Sequence, residues 1–532
     1  MGEHSLQQPQ PSSGGDPHQQ QAGGEGTSTT TTTTSTVSRQ QLEGELRDIR
    51  QLLWGPVIRP EVFRRWSQGF DFSAYEPSAL VQHDGGPCCV IAPVQAYLLK
   101  ILLMETPGHS FSDLTPDKCK TLLIQAICQI LMKCKSSKYR IVSLQARQTG
   151  SGPGGCSSSG KATTSAAEEI EGDAEMVDAL ENLPPNEQVE LGVDAASTTT
   201  TEAASDLVNQ NTMEEGSEGS GSGGAGTSPD PLNPETFHQR LCVSELEQID
   251  DVEKYYASNF HVLADECGVL LLLYTVLLTK ELDNVLGEVS DTSEPLIHGT
   301  YGYGSQALIN LMLTGRAVPY VWDNEQDVGG LKLKGITQQS DIGFITLMEQ
   351  MQYCTVGFFY KNPKNPVWVM GSETHLTVLF SNERRLVSQE TNSDMARRVF
   401  RQFDTEGSNF IPSPLLQDVL CAVDLVSDPE YVDLMRRKLD PESLGIILLN
   451  DFMNEFFPTE QKSVPDTFDL LHYNGIPNSN SDNRVRYSKG QAIQLESDVR
   501  MCNPSDPMLT CLQTKWPNIE VNWNDARTPS LN

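Results

Sequence analysis

The chain is short of positive charge, of long apolar runs and of paired cysteines. Only 38 lysines and arginines stand against 71 aspartates and glutamates, a net charge of −33. A chain so acidic repels nucleic-acid backbones and anionic membrane surfaces, so neither is expected as a partner. The longest apolar run, 269–278, is about half the ~20 residues needed to cross a bilayer. Residues 1–40 hold no apolar stretch behind basic residues, so no secretory signal is expected there. Twelve cysteines include no Cys-x-x-Cys pair, which predicts reduced thiols rather than a zinc site or a disulfide framework. No cofactor is expected. Hydrophobic residues make up 38%, under the ~45–50% common in globular chains, so part of the length is expected to stay unfolded.

Two stretches account for that part. Residues 1–40 are Gln, Ser, Gly and Thr with a Thr/Ser run over 27–36, too polar to offset the entropy of ordering. Residues 148–236 form an acidic insertion, with 17 acids and one lysine (Lys161) between Gly150 and Thr236. About half of the net charge therefore sits outside the folded part. Four segments remain: 41–147, 237–390, 391–458 and 459–532. Leu42, Leu46, Ile49 and Leu53 share one face of a helix over 41–54. Helical spacing recurs over 89–104, 118–132 and 267–278, whereas 367–370 and 375–380 alternate as paired strands. Helices first and strands later predict an α+β fold.

Residues 391–458 repeat a helix–loop–helix outline twice, an EF-hand-like arrangement. Calcium needs an acidic ligand at the twelfth loop position and glycine at the sixth. The first loop has Asp404 and Glu406 but Asn409 at six and Leu415 at twelve. The second has Asp440, Glu442, Gly445 and Asp451 in register, but Leu444 at five and Pro441 at two. No metal site is expected, and the pair is taken as degenerate, with a protein partner as its use.

The chemistry concentrates in Gln82-His83-Asp84-Gly85-Gly86-Pro87-Cys88-Cys89. The glycines and proline force a turn that leaves Cys88 at the mouth of a helix. Free amides and the helix dipole there favour a thiolate, so a lowered Cys88 pKa is expected. The same amides can hold an oxyanion. A thiolate needs a base. Of nine histidines, His375 begins an apolar strand, 287 positions after Cys88, in the Cys-then-His order of papain-like thiol proteases. Taken alone, a cysteine at a helix start or a histidine at a strand end is more often structural than catalytic.

Two longer blocks go further. Gly85-Gly86-Pro87-Cys88-Cys89-Val90-Ile91-Ala92-Pro93-Val94-Gln95-Ala96 resembles the active-site block of the MINDY family of deubiquitinases. So does Trp368-Val369-Met370-Gly371-Ser372-Glu373-Thr374-His375-Leu376-Thr377-Val378. The run Cys511-Leu512-Gln513-Thr514-Lys515-Trp516-Pro517 resembles the member that carries an EF-hand-like insertion. The resemblance implies a variant of the papain-like cysteine protease fold that cleaves ubiquitin and polyubiquitin chains, with preference for lysine-48 linkages. It implies Cys88 as nucleophile, His375 as general base and acid, and Gln82 as the oxyanion-stabilising residue. No third triad member is identified. The rival readings are a catalytically weak ubiquitin-binding scaffold and a calcium-responsive adaptor. Nucleus or cytoplasm is the expected location.

Overall fold

In this computed structural model the described residues are 30–105, 114–145, 232–289, 291–389, 391–404, 408–459, 464–495, 506–525 and 527–532, without the side chains of 30–38 and 105. Residues 146–231 lie outside the described residues. Most of the expected acidic insertion falls there. Its last residues, 232–236, belong instead to the folded part, where Asn233 caps the helix Pro234–Gln239 through the amide of Thr236. Residues 1–29 are likewise outside the described residues, whereas 30–40, expected to be unfolded, extend the first helix to Thr30–Trp54.

A helical core comes from Cys88–Glu105, Pro116–Cys134, Gly268–Lys280 and Gln306–Thr314. Helix Gly268–Lys280 is buried on every side except at its last lysine, as a run of leucines and valines requires. Its two threonines accept from the strand amides of Arg140 and Val142. Strand Tyr139–Leu144 pairs antiparallel with Leu241–Leu246, and Leu144 faces Leu241. The two ends of the insertion are thus stapled by one ladder.

The sheet has six strands laid side by side in chain order: Gly343–Thr346, Val367–Gly371, Leu376–Phe380, Thr467–Tyr473, Tyr487–Gln494 and Ile519–Trp523. The first pair is parallel and the others antiparallel. Strand Leu376–Phe380 is buried at every position because both faces are covered. Leu376, Val378 and Phe380 face the helical core, and Leu379 faces a second cluster with Trp368, Leu470, Leu512 and Trp516. Half of the strands come from beyond residue 458, so 459–532 completes the sheet that carries His375.

Between the third and fourth strands the chain leaves the sheet. Helices Asn392–Phe403, Leu416–Ala422, Pro429–Leu439 and Leu449–Phe456 gather around their own core, including Phe400, Leu420, Val432 and Phe452. Phe410–Pro412 pairs with Ile446–Leu448, joining the two loops. Each loop's leading carboxylate is occupied by the loop itself. Asp404 accepts from the amides of Ser408 and Asn409, and Asp440 from those of Leu444 and Gly445. Among the described residues no group of three or more His, Cys, Asp and Glu is placed to hold a metal, and no helix is long and apolar enough to cross a membrane.

Candidate active site

Cys88 is the first residue of the helix Cys88–Glu105, which accommodates Pro93 after its first turn. Gly86 enters the preceding turn at φ +129°, and a Cβ there would meet the Gly302 carbonyl and the Trp66 indole nitrogen at 3.1 Å. The bend that delivers Cys88 therefore needs glycine. Buried Gln95 anchors the helix to the chain before the turn: it accepts from the Leu80 amide at 2.7 Å and donates to the Ser78 carbonyl. The Gln82 amide donates to the Gly475 carbonyl at 2.8 Å.

His375 lies one residue before strand Leu376–Phe380. The Ser372 hydroxyl accepts its main-chain amide at 3.0 Å. Its ring Nε2 faces Asn474 Oδ1 at 3.1 Å. Asn474 immediately follows strand Thr467–Tyr473, which pairs with the His375 strand through Val378 and Tyr473. It is the orienting group that sequence reasoning missed. The signal was an Asn-Gly turn at the end of a strand, but the strand itself had to be placed first.

These segments converge. Gln82 bonds to Gly475, the neighbour of Asn474, and Asn474 bonds to His375. The amide of Leu376, the neighbour of His375, reaches the Cys88 sulfur together with the amides of Cys88 and Cys89. The donors expected at the helix mouth are present. Cys89 points elsewhere: a Cβ on Gly304 would fall 2.2 Å from its sulfur, so that sulfur is packed against bare backbone.

The site is shut. Gln82, Cys88 and His375 are 1%, 4% and 6% exposed. The Cys88 thiol donates to the Gly86 carbonyl at 3.8 Å, and the Gln82 side-chain amide to the Asp84 carbonyl at 3.0 Å. Both groups are thus occupied by carbonyls of their own loop. No hydrogen bond links thiol and imidazole, and ring Nδ1 has no partner among the described residues. The expected thiolate is therefore overturned for this state. Burial pushes the Cys88 thiol up to about 11, outweighing the three amides that favour the anion. Burial likewise holds the His375 imidazole neutral, down to about 4, although Asn474 pulls the other way. His472, also buried, sits down at about 3, from burial first and the nearby His375 second. Its Nε2 has no partner. His83, by contrast, is exposed and bonds to Asp71 at 2.8 Å, away from the thiol.

The pattern of "Deubiquitinating enzyme MINDY-3/4, conserved domain" matches residues 50–164 and 227–403, more than half of the chain. The chain is 56% identical over 488 residues to a "Ubiquitin carboxyl-terminal hydrolase MINDY-3 homolog" of Drosophila melanogaster, covering 92% of this chain and 83% of that protein. It is 41% identical over 494 residues to "Ubiquitin carboxyl-terminal hydrolase MINDY-3" of Homo sapiens, covering 91% and 99%. A "Probable ubiquitin carboxyl-terminal hydrolase MINDY-4" of Mus musculus is 27% identical over 301 residues, covering 54% and 29%. No solved structure matches. A protease-like helix and strand, an imidazole oriented by an amide, and identity across nine-tenths of the chain lead to one conclusion: the chain belongs to the MINDY family of deubiquitinating enzymes, on the MINDY-3 side of it.

Proposed function

We propose that this deubiquitinase is a cysteine isopeptidase that hydrolyses polyubiquitin by acyl transfer through Cys88. The observation that carries the reading is the His375–Asn474 bond at 3.1 Å, on a strand whose next amide, Leu376, meets the Cys88 sulfur. Substrate opens the loop 82–87 and hydrates the thiol, removing the burial that holds it neutral. Nδ1 of His375 then takes the Cys88 proton, and the thiolate attacks the carbonyl carbon of ubiquitin's C-terminal glycine. The amides at the helix start, joined by Gln82 once it leaves the Asp84 carbonyl, hold the oxyanion. The isopeptide C–N bond breaks as the imidazolium returns its proton to the departing lysine amine. Water, deprotonated by the same nitrogen, hydrolyses the thioester and restores the thiol.

A preference for lysine-48-linked chains follows from the likeness of the two active-site blocks to the family. The EF-hand-like pair, with Leu434 and Leu444 exposed, offers a protein partner an apolar hold. The enzyme belongs in the nucleus or cytoplasm, where thiols stay reduced. One observation favours a second reading, a ubiquitin-binding scaffold with little turnover: the nucleophile is buried and neutral. A panel of linkage-defined ubiquitin chains, with wild type and Cys88→Ala, separates the two. The proposal expects lysine-48-linked chains to be cut fastest by wild type and not at all by the variant. Binding without cleavage by wild type would leave the scaffold.

A further inference from the structure

The segment 530–532 meets the site from a place no active-site motif would suggest. Leu531 is buried in the cluster beneath the sheet and pins the segment there. On one side, Asn474 Nδ2 donates to the Ser530 carbonyl at 3.0 Å and to the Asn532 main-chain oxygen at 3.3 Å. On the other side, Asn532 Oδ1 accepts from the Ser372 hydroxyl at 2.5 Å and the Thr374 hydroxyl at 3.3 Å. Ser372 is also the acceptor for the His375 main-chain amide. One short segment therefore grips the group that orients the ring and the turn that carries it.

These bonds have a consequence for protons. An asparagine amide can face either way round, and its neighbours decide which. Asn474 Oδ1 accepts the Ile476 amide at 3.0 Å, while its nitrogen meets two main-chain oxygens. Turned over, it would set oxygen against two oxygens and NH2 against an N–H. Oδ1 must therefore face His375, and Nε2 of the neutral ring must carry the hydrogen. That leaves the lone pair on Nδ1, which is free of other partners among the described residues.

We propose that 530–532 is a positioning clamp: through Asn474 and the 372–374 turn it fixes the orientation and tautomer of His375, so that the lone pair of Nδ1 is the one offered to Cys88. The inference rests on the acyl-transfer reading above. Asn532 and Ser530 touch neither substrate nor reacting atoms; they act through Asn474 and Ser372. The titratable groups around the ring are buried His472 and Cys88, with Glu373 exposed in the same turn and the main-chain carboxylate of Asn532 held by Asn474 Nδ2 and the Ser530 hydroxyl.

The test compares Asn532→Ala, Asn532→Asp and Cys88→Ala in the full chain, using an internally quenched lysine-48-linked diubiquitin. A misdirected base forfeits part of the ~10²–10⁴-fold that general-base catalysis supplies. Asn532→Ala should therefore lower kcat roughly tenfold, with KM and the thermal midpoint near wild type. With Ser372 and Thr374 released, the 372–374 turn should loosen and admit water to the His375 ring, so the acidic limb of kcat/KM should move up from near pH 4 toward 6.5. Asn532→Asp keeps an acceptor for both hydroxyls and should recover most of the loss. Unchanged kcat and an unchanged acidic limb in Asn532→Ala would overturn the clamp. So would a fall in thermal midpoint and a rise in KM with the limb unmoved, which is the mark of a merely structural contact. Activity surviving in Cys88→Ala would instead overturn the acyl-transfer reading, so the two failures are distinct.

Discussion

The two halves of the site are held in opposite ways. The imidazole half is built for one geometry. His375 is fixed by a strand ladder, by Asn474 and by the 372–374 turn, and Asn474 is itself satisfied on both ends. The thiol half is built to be shut. Cys88 and Gln82 spend their hydrogen bonds on Gly86 and Asp84, and the loop between them rests on Arg64, from the helix Pro60–Trp66, and on Gln68 just after that helix. On the acyl-transfer mechanism proposed above, the difference is a division of labour: His375 would be preorganised in the free enzyme, and Cys88 would be assembled for attack when substrate arrives.

Removing the preorganised half should cost most. His375→Ala should lower turnover by about 10³-fold or more, and Asn474→Ala by roughly 10- to 100-fold with little change in KM, read from steady-state cleavage. Equal losses in kcat and in binding would show that the half is not specialised for the base.

Acid should come next. The folded pKa of His375 is depressed from 6.5 to about 4. A depressed group contributes stability that is present above its unfolded value and is lost as pH falls through the folded one. The fold should therefore weaken between pH 6.5 and 4, by about 3 kcal/mol from this residue at ~1.4 kcal/mol per unit. His472, shifted the same way, adds to it. Denaturant midpoints across that window check the sign, and His375→Ala should flatten part of the slope. A midpoint that rises on acidification would contradict the buried neutral imidazoles.

The seat of the nucleophile helix can be pushed directly. An added Cβ in Gly304→Ala would meet the Cys89 sulfur at 2.2 Å and its Cβ at 2.9 Å, so the helix start must shift. Overpacking of this kind costs about 1–3 kcal/mol, visible as a lower thermal midpoint. A variant as stable as wild type would mean the helix start has room to move. The smallest effect is expected from loosening the shut half. Gln68→Ala removes the acceptor for the His83 amide at 3.0 Å and a donor to the Asp84 carbonyl. Alkylation of Cys88 by iodoacetamide should then rise a few-fold, at ~0.5 kcal/mol for each of the two lost hydrogen bonds, one of them long at 3.3 Å. No change would show that the loop is closed by something other than these bonds.

The parts legible in the sequence were those set by local pattern. The Gly85-Gly86-Pro87 turn placed Cys88 at a helix start, and alternation placed a strand pair over 367–380 with His375 at its head. Asn474 escaped because its meaning depends on strand Thr467–Tyr473 pairing with one ninety residues earlier, past an inserted helical unit. The state of the thiol escaped for a different reason. The helix amides argue for an anion and are where they should be, but burial is a property of the whole fold and here it dominates. The helical turns before residue 41 were missed because threonines and serines carry little helix propensity.

The most direct measurement is covalent capture by ubiquitin bearing a C-terminal electrophile, with the adduct located by mass spectrometry in wild type, Cys88→Ala and Cys89→Ala. The account predicts one adduct, on Cys88, absent from Cys88→Ala and present in Cys89→Ala. An adduct on Cys89, or capture that survives in Cys88→Ala, would contradict it.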